Sequence, residues 1–555
     1  MDIDGHAYVV FYVLPSHSPH SARGSYVPVE SPRMEYVSDL DTPLLRLSDK
    51  DYFTLRDAAE GVAVFGAIGS GKTSGMKTLA TAYLRAGMGG LVCCAKPDEV
   101  ELWKRYAAEA GRSGDLVLFG EGGHGFNFLD YELRRQGMRG IGSVTECIMQ
   151  IVEAEKVVMT SSGGGEPFWE RSPRQLLNNT LPLLFAARGV IRMEDIVRFL
   201  GSAPQTPESL SDKEWQARSF MYQVLRRAMS EPCAPIDQDD GRSITEFWQR
   251  QYATLDTRTR SNLLINLTTL LDRFLRGRMR DLFSRQTTVV PEETFGQGRI
   301  IVLAMPSLSW NEDGLIAQHI FKYMWQRAVL RRNTLPQGYR KRPVFLWVDE
   351  AQYFVNKEDA KYQSTCRSSL GCTVYLSQSL PSYHAAMGGE KAKPTTEQFL
   401  GNFVSKIFMS NTDPETNDWA ARTIGRTLVI RRNFNTGWSS STGRGISSNS
   451  GTSSSSGTGS NSGHGPGGYS GGSSSSNQKG ANEGRGRSAQ RNDSRSGGEG
   501  GSEVMDYAVE PGVFVHNLRS GGPANNFMVD AVLMKGSRSF HATGNAVLPI
   551  TFSQR

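Results

Sequence analysis

The sequence is poor in the features that mark secreted, membrane-spanning or disulfide-held proteins. Only six of 555 residues are cysteine (Cys93, Cys94, Cys147, Cys233, Cys366 and Cys372), and none forms a C-x-x-C pair. Disulfide frameworks and zinc sites need closer, recurring spacings, so buried reduced thiols in a cytosolic protein fit better. No apolar run reaches the roughly 18 residues of a membrane-crossing helix. Residues 8–14 are apolar but too short, and they follow acidic residues where a signal peptide carries basic ones. Charge of one sign is scarce too: 62 Lys and Arg against 56 Asp and Glu leave a net +6. Such a mild basic balance is compatible with a polyanionic partner and does not demand one. The expectation is a soluble, cytoplasmic chain with no direct membrane insertion.

What the sequence does contain is an alternation of short apolar runs and helix-compatible stretches. Residues 1–60 are polar and proline-punctuated and read as an N-terminal extension. The run GVAVF at 61–65 precedes a glycine-rich turn and a helical stretch, and GGLVCC (89–94) and DLVLF (115–119) follow as strand candidates. Strand, turn, helix and strand at this spacing build a parallel sheet flanked by helices. That first part of an α/β core spans 61–131. Residues 132–290 carry long amphipathic stretches and few strand-like runs, as expected of an all-α insertion. The α/β pattern returns over 291–434, with RIIVLAM, VFLWVD, CTVYLS and VSKIFMS as strands. From 435 to 503 the chain is almost entirely Ser, Gly and Asn with scattered Arg. Such a composition buries too little apolar area to offset the entropy of ordering, so a disordered Ser/Gly-rich insertion is expected. Residues 504–555 then supply strands that complete the core.

The sharpest chemical signal is Gly66-Ala67-Ile68-Gly69-Ser70-Gly71-Lys72-Thr73, followed by Ser74. Glycines in this pattern let backbone N–H groups turn inward around a phosphate chain. Lys72 then reaches the β- and γ-phosphates of ATP, and the Thr73 hydroxyl ligates Mg²⁺. The preceding strand and following helix are the context this motif requires. The second signal is Val344–Glu350, an apolar run that delivers Asp349 to the carboxyl end of a strand, where parallel sheets bind ligands. Asp349 is expected to hold Mg²⁺, and Glu350 to act as general base on the attacking water. Gln378, at the end of the next strand, reads either as a γ-phosphate sensor or as an amide capping its strand. The cluster RFLRGRMR at 273–280 can face a phosphate backbone or be a solvated amphipathic face.

These motifs, with GCTVYLSQS and NFVSKIFMSNTDPETNDWAARTIG, resemble the TraG/TraD coupling proteins of conjugative type IV secretion, within the HerA/FtsK group of P-loop ATPases. VCCAKPDEVELWKRYAAEAGR and FWERSPRQLL resemble further segments of that family, and the likeness covers roughly 61–430 and, more loosely, 505–555. It implies a RecA-like P-loop NTPase core, a homo-hexameric ring around DNA, and ATP with Mg²⁺ between neighbouring subunits. It further implies a relaxase and type IV secretion channel proteins as partners, with attachment at the inner membrane through them. Arg367 matches a position where the family carries an arginine that reaches a neighbour's nucleotide; a surface salt bridge is the plainer reading of the residue. The family usually begins with two membrane-spanning helices, which this sequence does not show. The leading function is thus an ATP-driven DNA translocase, with a type IV secretion ATPase acting on protein as the alternative. A recruitment platform that only binds nucleotide would not need Lys72, Asp349 and Glu350 together.

Overall fold

The structure, a computed structural model, describes residues 35–158, 167–389, 391–445, 456–465, 468–477, 488–536 and 538–555. Two short strands open it, β1 (Pro43–Arg46) and β2 (Tyr52–Thr54), paired antiparallel. They lead into a helix, Leu55–Ala59, capped reciprocally by Thr54 and Asp57. The core strands follow: β3 (Val62–Phe65), β4 (Gly89–Cys93), β5 (Leu116–Phe119), β6 (Ile300–Leu303), β7 (Val344–Val348), β8 (Gly371–Ser377) and β9 (Ser405–Met409). Every residue of β3, β7 and β8 is buried. That is why these strands read as unbroken apolar runs and not as alternating ones: helices cover both faces of a parallel sheet.

Alternation reappears in which face each side chain takes. Val62, Val64, Val92, Phe345, Trp347 and Leu376 pack on one face with Leu79 and Tyr83 of the helix Lys77–Arg85 and Trp103 of the helix Pro97–Glu109. The Trp103 ring stacks on Phe345 with centroids 5.5 Å apart. Ala63, Phe65, Leu91, Leu303, Leu346 and Tyr375 face the other way, onto the long helix Ser307–Arg331. The same apolar cluster runs on into the helices between β5 and β6, among them Ile141–Val158, Pro167–Arg188 and Thr257–Asp272. No strand lies between β5 and β6 among the described residues, so the expected all-α insertion is present, and it shares its core with the sheet. Of the FWERSPRQLL segment, the Phe168 and Trp169 side chains lie outside the described residues.

Two sequence expectations need correction. Residues 35–60 are not a loose extension: Phe53, Leu55 and Ala58 are buried, and Val37 N–H donates to Ala86 O at 3.0 Å. Asp57 is the anchor, bound by Arg538 at 2.9 Å and by Lys535, two residues far along the chain that a local reading cannot pair with it. Residues 1–34 lie outside the described residues. The Ser/Gly tract is not a structureless loop either. It carries β10 (Arg426–Gly445), β11 (Ser456–Gly465), β12 (Gly468–Asn477) and β13 (Ser488–Tyr507) in an antiparallel sheet ordered β10-β13-β12-β11. A ladder of main-chain hydrogen bonds needs no apolar side chain, which an argument from apolar burial overlooks. The parts of the tract at 446–455, 466–467 and 478–487 lie outside the described residues.

Beyond the tract a helix, Pro511–His516, leads to β14 (Met528–Lys535) and β15 (Val547–Ser553). The central sheet is ordered β15-β14-β9-β3-β8-β7-β4-β6-β5, with β14 antiparallel to β9 and every pair from β9 to β5 parallel. The last two strands therefore extend the sheet on the side of β3, next to the glycine-rich turn.

One core residue has a measurable cost. Lys406 on β9 is buried, its Nζ donating to Phe403 O at 2.5 Å, and burial pushes its pKa down to about 8 from 10.5. Between those values the unfolded chain holds more protons than the native one, so stability rises with pH across that window. Below about pH 8 the full penalty applies. Lys406→Met should therefore raise the stability at pH 7 by about 1–2 kcal/mol and flatten the rise between pH 8 and 10.5. Thermal midpoints of both proteins across that range check it, and a lower midpoint for the variant at pH 7 would refute it.

Candidate nucleotide-binding site

The turn after β3 is pinned at the carboxyl end of the sheet, where Gly66 N–H donates to Ser377 O (3.3 Å) and Ala67 N–H to Ser410 O (2.9 Å). It thus lies between the ends of β8 and β9. Gly71 has φ +84°, and a Cβ there would sit 2.6 Å from Val529 Cγ2 of β14, so glycine is required both by conformation and by space. Gly69 is likewise left-handed, and the Ser70 hydroxyl is buried without a hydrogen-bond partner. Helical structure starts at Lys72, so the turn opens a helix as the motif demands. Ser74, the next hydroxyl, donates to Gly71 O at 3.1 Å and accepts from Gln554 Nε2 at 2.7 Å.

The sequence-predicted residues 66–74 are therefore together, and the acidic pair joins them. Thr73 Oγ1 donates to Asp349 Oδ2 at 2.9 Å, across 276 residues of sequence. Burial raises the Asp349 carboxyl above its ordinary value, with the bond from Thr73 pulling against it. Lys72 is buried, its Nζ donating to Gly66 O at 2.6 Å and Ala67 O at 3.1 Å. Burial lowers its pKa, while Glu350 and Asp349 partly restore it.

Glu350 is the most constrained residue of the site. Its backbone is left-handed, with φ +49° and ψ +52°, which costs a side-chain-bearing residue on the order of 1 kcal/mol and tends to occur at functional positions. Its carboxylate accepts from Lys96 Nζ at 2.5 Å, Gln352 Nε2 at 2.8 Å and Gln378 Nε2 at 2.9 Å. Burial alone would raise its pKa, but these three donors outweigh it, and the carboxyl titrates below its usual value. Gln378 thus points at the base and does not merely cap its strand; Asn411 Nδ2 holds its carbonyl at 2.9 Å.

Arg367 is not brought to this site within the chain. It sits just before β8 begins, at the opposite end of that strand from the phosphate turn, and the seven residues of β8 span about 20 Å. Its guanidinium pairs with Glu60 at 3.0 Å and is 60% exposed. The arginine cluster 273–280 is mostly neutralised: Arg273 pairs with Asp313, Arg276 with Asp272 and Arg280 with Asp281. Arg278 instead stacks over Trp310, 4.9 Å from the ring centroid, beside a cavity of about 750 Å³ beyond the ends of β5 and β6. That cavity is lined by Pro97, His124 and Arg278 and is separate from the phosphate turn.

Among the described residues, no group of three or more His, Cys, Asp or Glu could hold a metal by itself. A hydroxyl and a carboxylate at the mouth of a phosphate turn fit Mg²⁺, which takes few protein oxygens and completes its shell with water and phosphate oxygens. Residues that the sequence reading left unassigned are Gln352, Asn411 and Gln554, while Lys96 read either as a lysine approaching the phosphates from the next strand or as a solvated one. Lys96 was visible as a polar residue ending β4, but only the sheet order, with β4 beside β7, places it against Glu350.

The sheet order and the phosphate turn together make the fold that of RecA-like P-loop NTPases. Residues 343–496 match the family model described as the TraM recognition site of TraD and TraG. The likeness to TraG/TraD-type coupling proteins that the motifs carry is thereby borne out. Two solved structures with this fold are the plasmid coupling protein TrwB with a non-hydrolysable ATP analogue, ADPNP, and TrwB with ADP and Mg²⁺. The first is 14% identical at a TM-score of 0.50, covering 95% of this chain and 97% of that one. The second is 13% identical at the same score, covering 95% and 96%. No curated protein matches the sequence.

Proposed function

We propose that the chain is an ATP-driven DNA translocase serving as a coupling protein in conjugative DNA transfer. The observation that carries the hydrolytic part is the convergence of Lys72, Thr73, Asp349 and Glu350 at the carboxyl ends of β3 and β7, with Gln378 on the base. The family match over 343–496 supports the conjugative setting.

In this reading the backbone N–H groups of Gly66, Ala67, Gly69, Ser70 and Gly71, with Ser74, cradle the phosphates, and Lys72 leaves its carbonyl partners to neutralise them. Thr73 and Asp349 hold Mg²⁺, which when bound neutralises charge on the β- and γ-phosphates. Glu350 takes the proton from the attacking water as the oxygen–phosphorus bond forms and the bond to the ADP leaving group breaks. Gln378 orients that carboxylate. Arg367, exposed and far from its own subunit's turn, reaches the nucleotide of the next subunit in a homo-hexamer. Such a ring surrounds DNA and receives it from a relaxase at a secretion channel. Attachment at the inner membrane is assigned to those partners; no helix among the described residues is long and apolar enough to cross a membrane.

The experiment is steady-state ATP hydrolysis by the full chain with single-stranded DNA, with duplex DNA and without either. The expected result is stimulation of at least about tenfold by one form of DNA at low salt, weakening as salt rises. The same stimulation should be lost in Arg367→Ala. Hydrolysis indifferent to DNA would move the assignment to an ATPase that acts on protein.

A further inference from the structure

Lys96 stands three residues past Cys93, the residue paired with Val348 on the neighbouring strand. The two strand ends therefore place it opposite Glu350, and its Nζ lies 2.5 Å from Glu350 Oε1. Its backbone is fixed: it precedes Pro97 at the start of a helix, and the buried Glu99 carboxylate binds the N–H groups of Ala95 (2.7 Å) and Lys96 (3.3 Å). Its side chain is half exposed at 49%, whereas that of Glu350 is 7% exposed. An ammonium on a four-carbon stem rooted in rigid backbone can change partners without moving the fold.

A carboxylate that holds an ammonium is a poor proton acceptor for water. The arrangement thus stores Glu350 in an inactive form, and something must draw the lysine away. Lys72 and Lys96 stand at the site with the carboxyl groups of Asp349, Glu350 and Glu99. The γ-phosphate of ATP adds negative charge next to both lysines, and ADP lacks that group. Lys72 is hydrogen-bonded to the loop carbonyls and Lys96 to Glu350, so Lys96 is the cation whose move frees the base.

We propose that Lys96 is a γ-phosphate-sensing latch: it restrains Glu350 until ATP binds, then transfers to the γ-phosphate and releases the base. This rests on the nucleotide-binding reading above. Lys96 is a positioning residue for Glu350 in one state and a ligand of the nucleotide in the other.

The decisive measurement is the equilibrium affinity of the full chain for ADP and for a non-hydrolysable ATP analogue, made in a Glu350→Gln background. In that background Lys96 has lost the carboxylate it is hydrogen-bonded to, and the comparison of analogue with ADP cancels what Asp349 and Glu99 contribute in both states. Lys96→Met should weaken analogue binding by about 10- to 100-fold, the size of a lost charge-assisted hydrogen bond, and leave ADP within about twofold. Lys96→Arg should restore most of the difference. Unchanged analogue affinity in Lys96→Met, or an equal loss for ADP, would overturn the latch, while ADP binding reports that the site is still folded. If the unsubstituted chain binds neither nucleotide, the nucleotide reading itself falls and the latch with it.

Discussion

Glu350→Gln should lower kcat for ATP hydrolysis by about 10²–10⁴-fold, the usual contribution of a positioned general base, while leaving nucleotide binding intact. Glutamine is nearly the same shape and meets the same left-handed backbone demand as glutamate at this position. Its amide oxygen can still accept from Gln378 or Gln352, so the turn should keep its geometry. What it cannot do is take a proton. Asp349 is untouched, and its bond from Thr73 is retained, so magnesium-dependent binding should survive. Single-turnover hydrolysis alongside equilibrium binding separates the two effects. A variant that keeps more than about a tenth of the rate would remove Glu350 from the role of base.

The second large effect lies behind the site. Lys322 and Asp359 form an ion pair at 2.6 Å with side chains 1% and 0% exposed. Asp359 also accepts from Gln326 Nε2 and Tyr375 OH, each at 2.7 Å, and from Asn356 N–H at 2.8 Å. Lys322 further donates to Phe354 O, and His319 Nε2 lies 3.0 Å from Tyr353 O. Burial first, then the neighbouring Lys322, drives the pKa of His319 down to about 3, so it stays neutral beside the ammonium. The network grips residues 353–356, the segment on which the Glu350 turn ends. Asp359→Ala leaves a buried ammonium unpaired and should cost about 3–5 kcal/mol of stability. The double variant Lys322→Met/Asp359→Leu should recover much of that, since two apolar side chains need no partner. Denaturation midpoints of the three proteins decide the matter, and a loss below about 1 kcal/mol in Asp359→Ala would mean the network does little for the fold.

How far the sequence foretold this site depended on the range over which the information lay. The turn 66–73 and the run 344–350 were legible because each packs its chemistry into a few consecutive residues with a fixed strand or helix beside it. The contact between Thr73 and Asp349 followed from the motifs together. Lys96 was not legible in the same way: its partner lies 254 residues away, and only the adjacency of β4 and β7 brings the two together. Asp57 and Arg538 escaped for the same reason, so the packing of 35–60 against the rest of the fold could not be read in advance. The Ser/Gly tract failed differently. Its composition reports that side chains cannot build a core, and is silent on whether main-chain groups pair with one another. The place of Arg367, at the end of β8 away from the phosphate turn, is something its own neighbours in sequence could not reveal.

Val529 closes on Gly71, and Gln554 reaches Ser74 across 480 residues of sequence. At synthesis rates of about 5–20 residues per second, the phosphate turn waits on the order of half a minute to a minute and a half for those partners. Once β9 (Ser405–Met409) has been made, and until β14 pairs with it, the turn faces an open sheet edge. A chain halted before β14 would carry the complete ATP-binding motif yet lack the wall behind it. The wall behind the phosphate turn is therefore among the last parts of the described fold to be made.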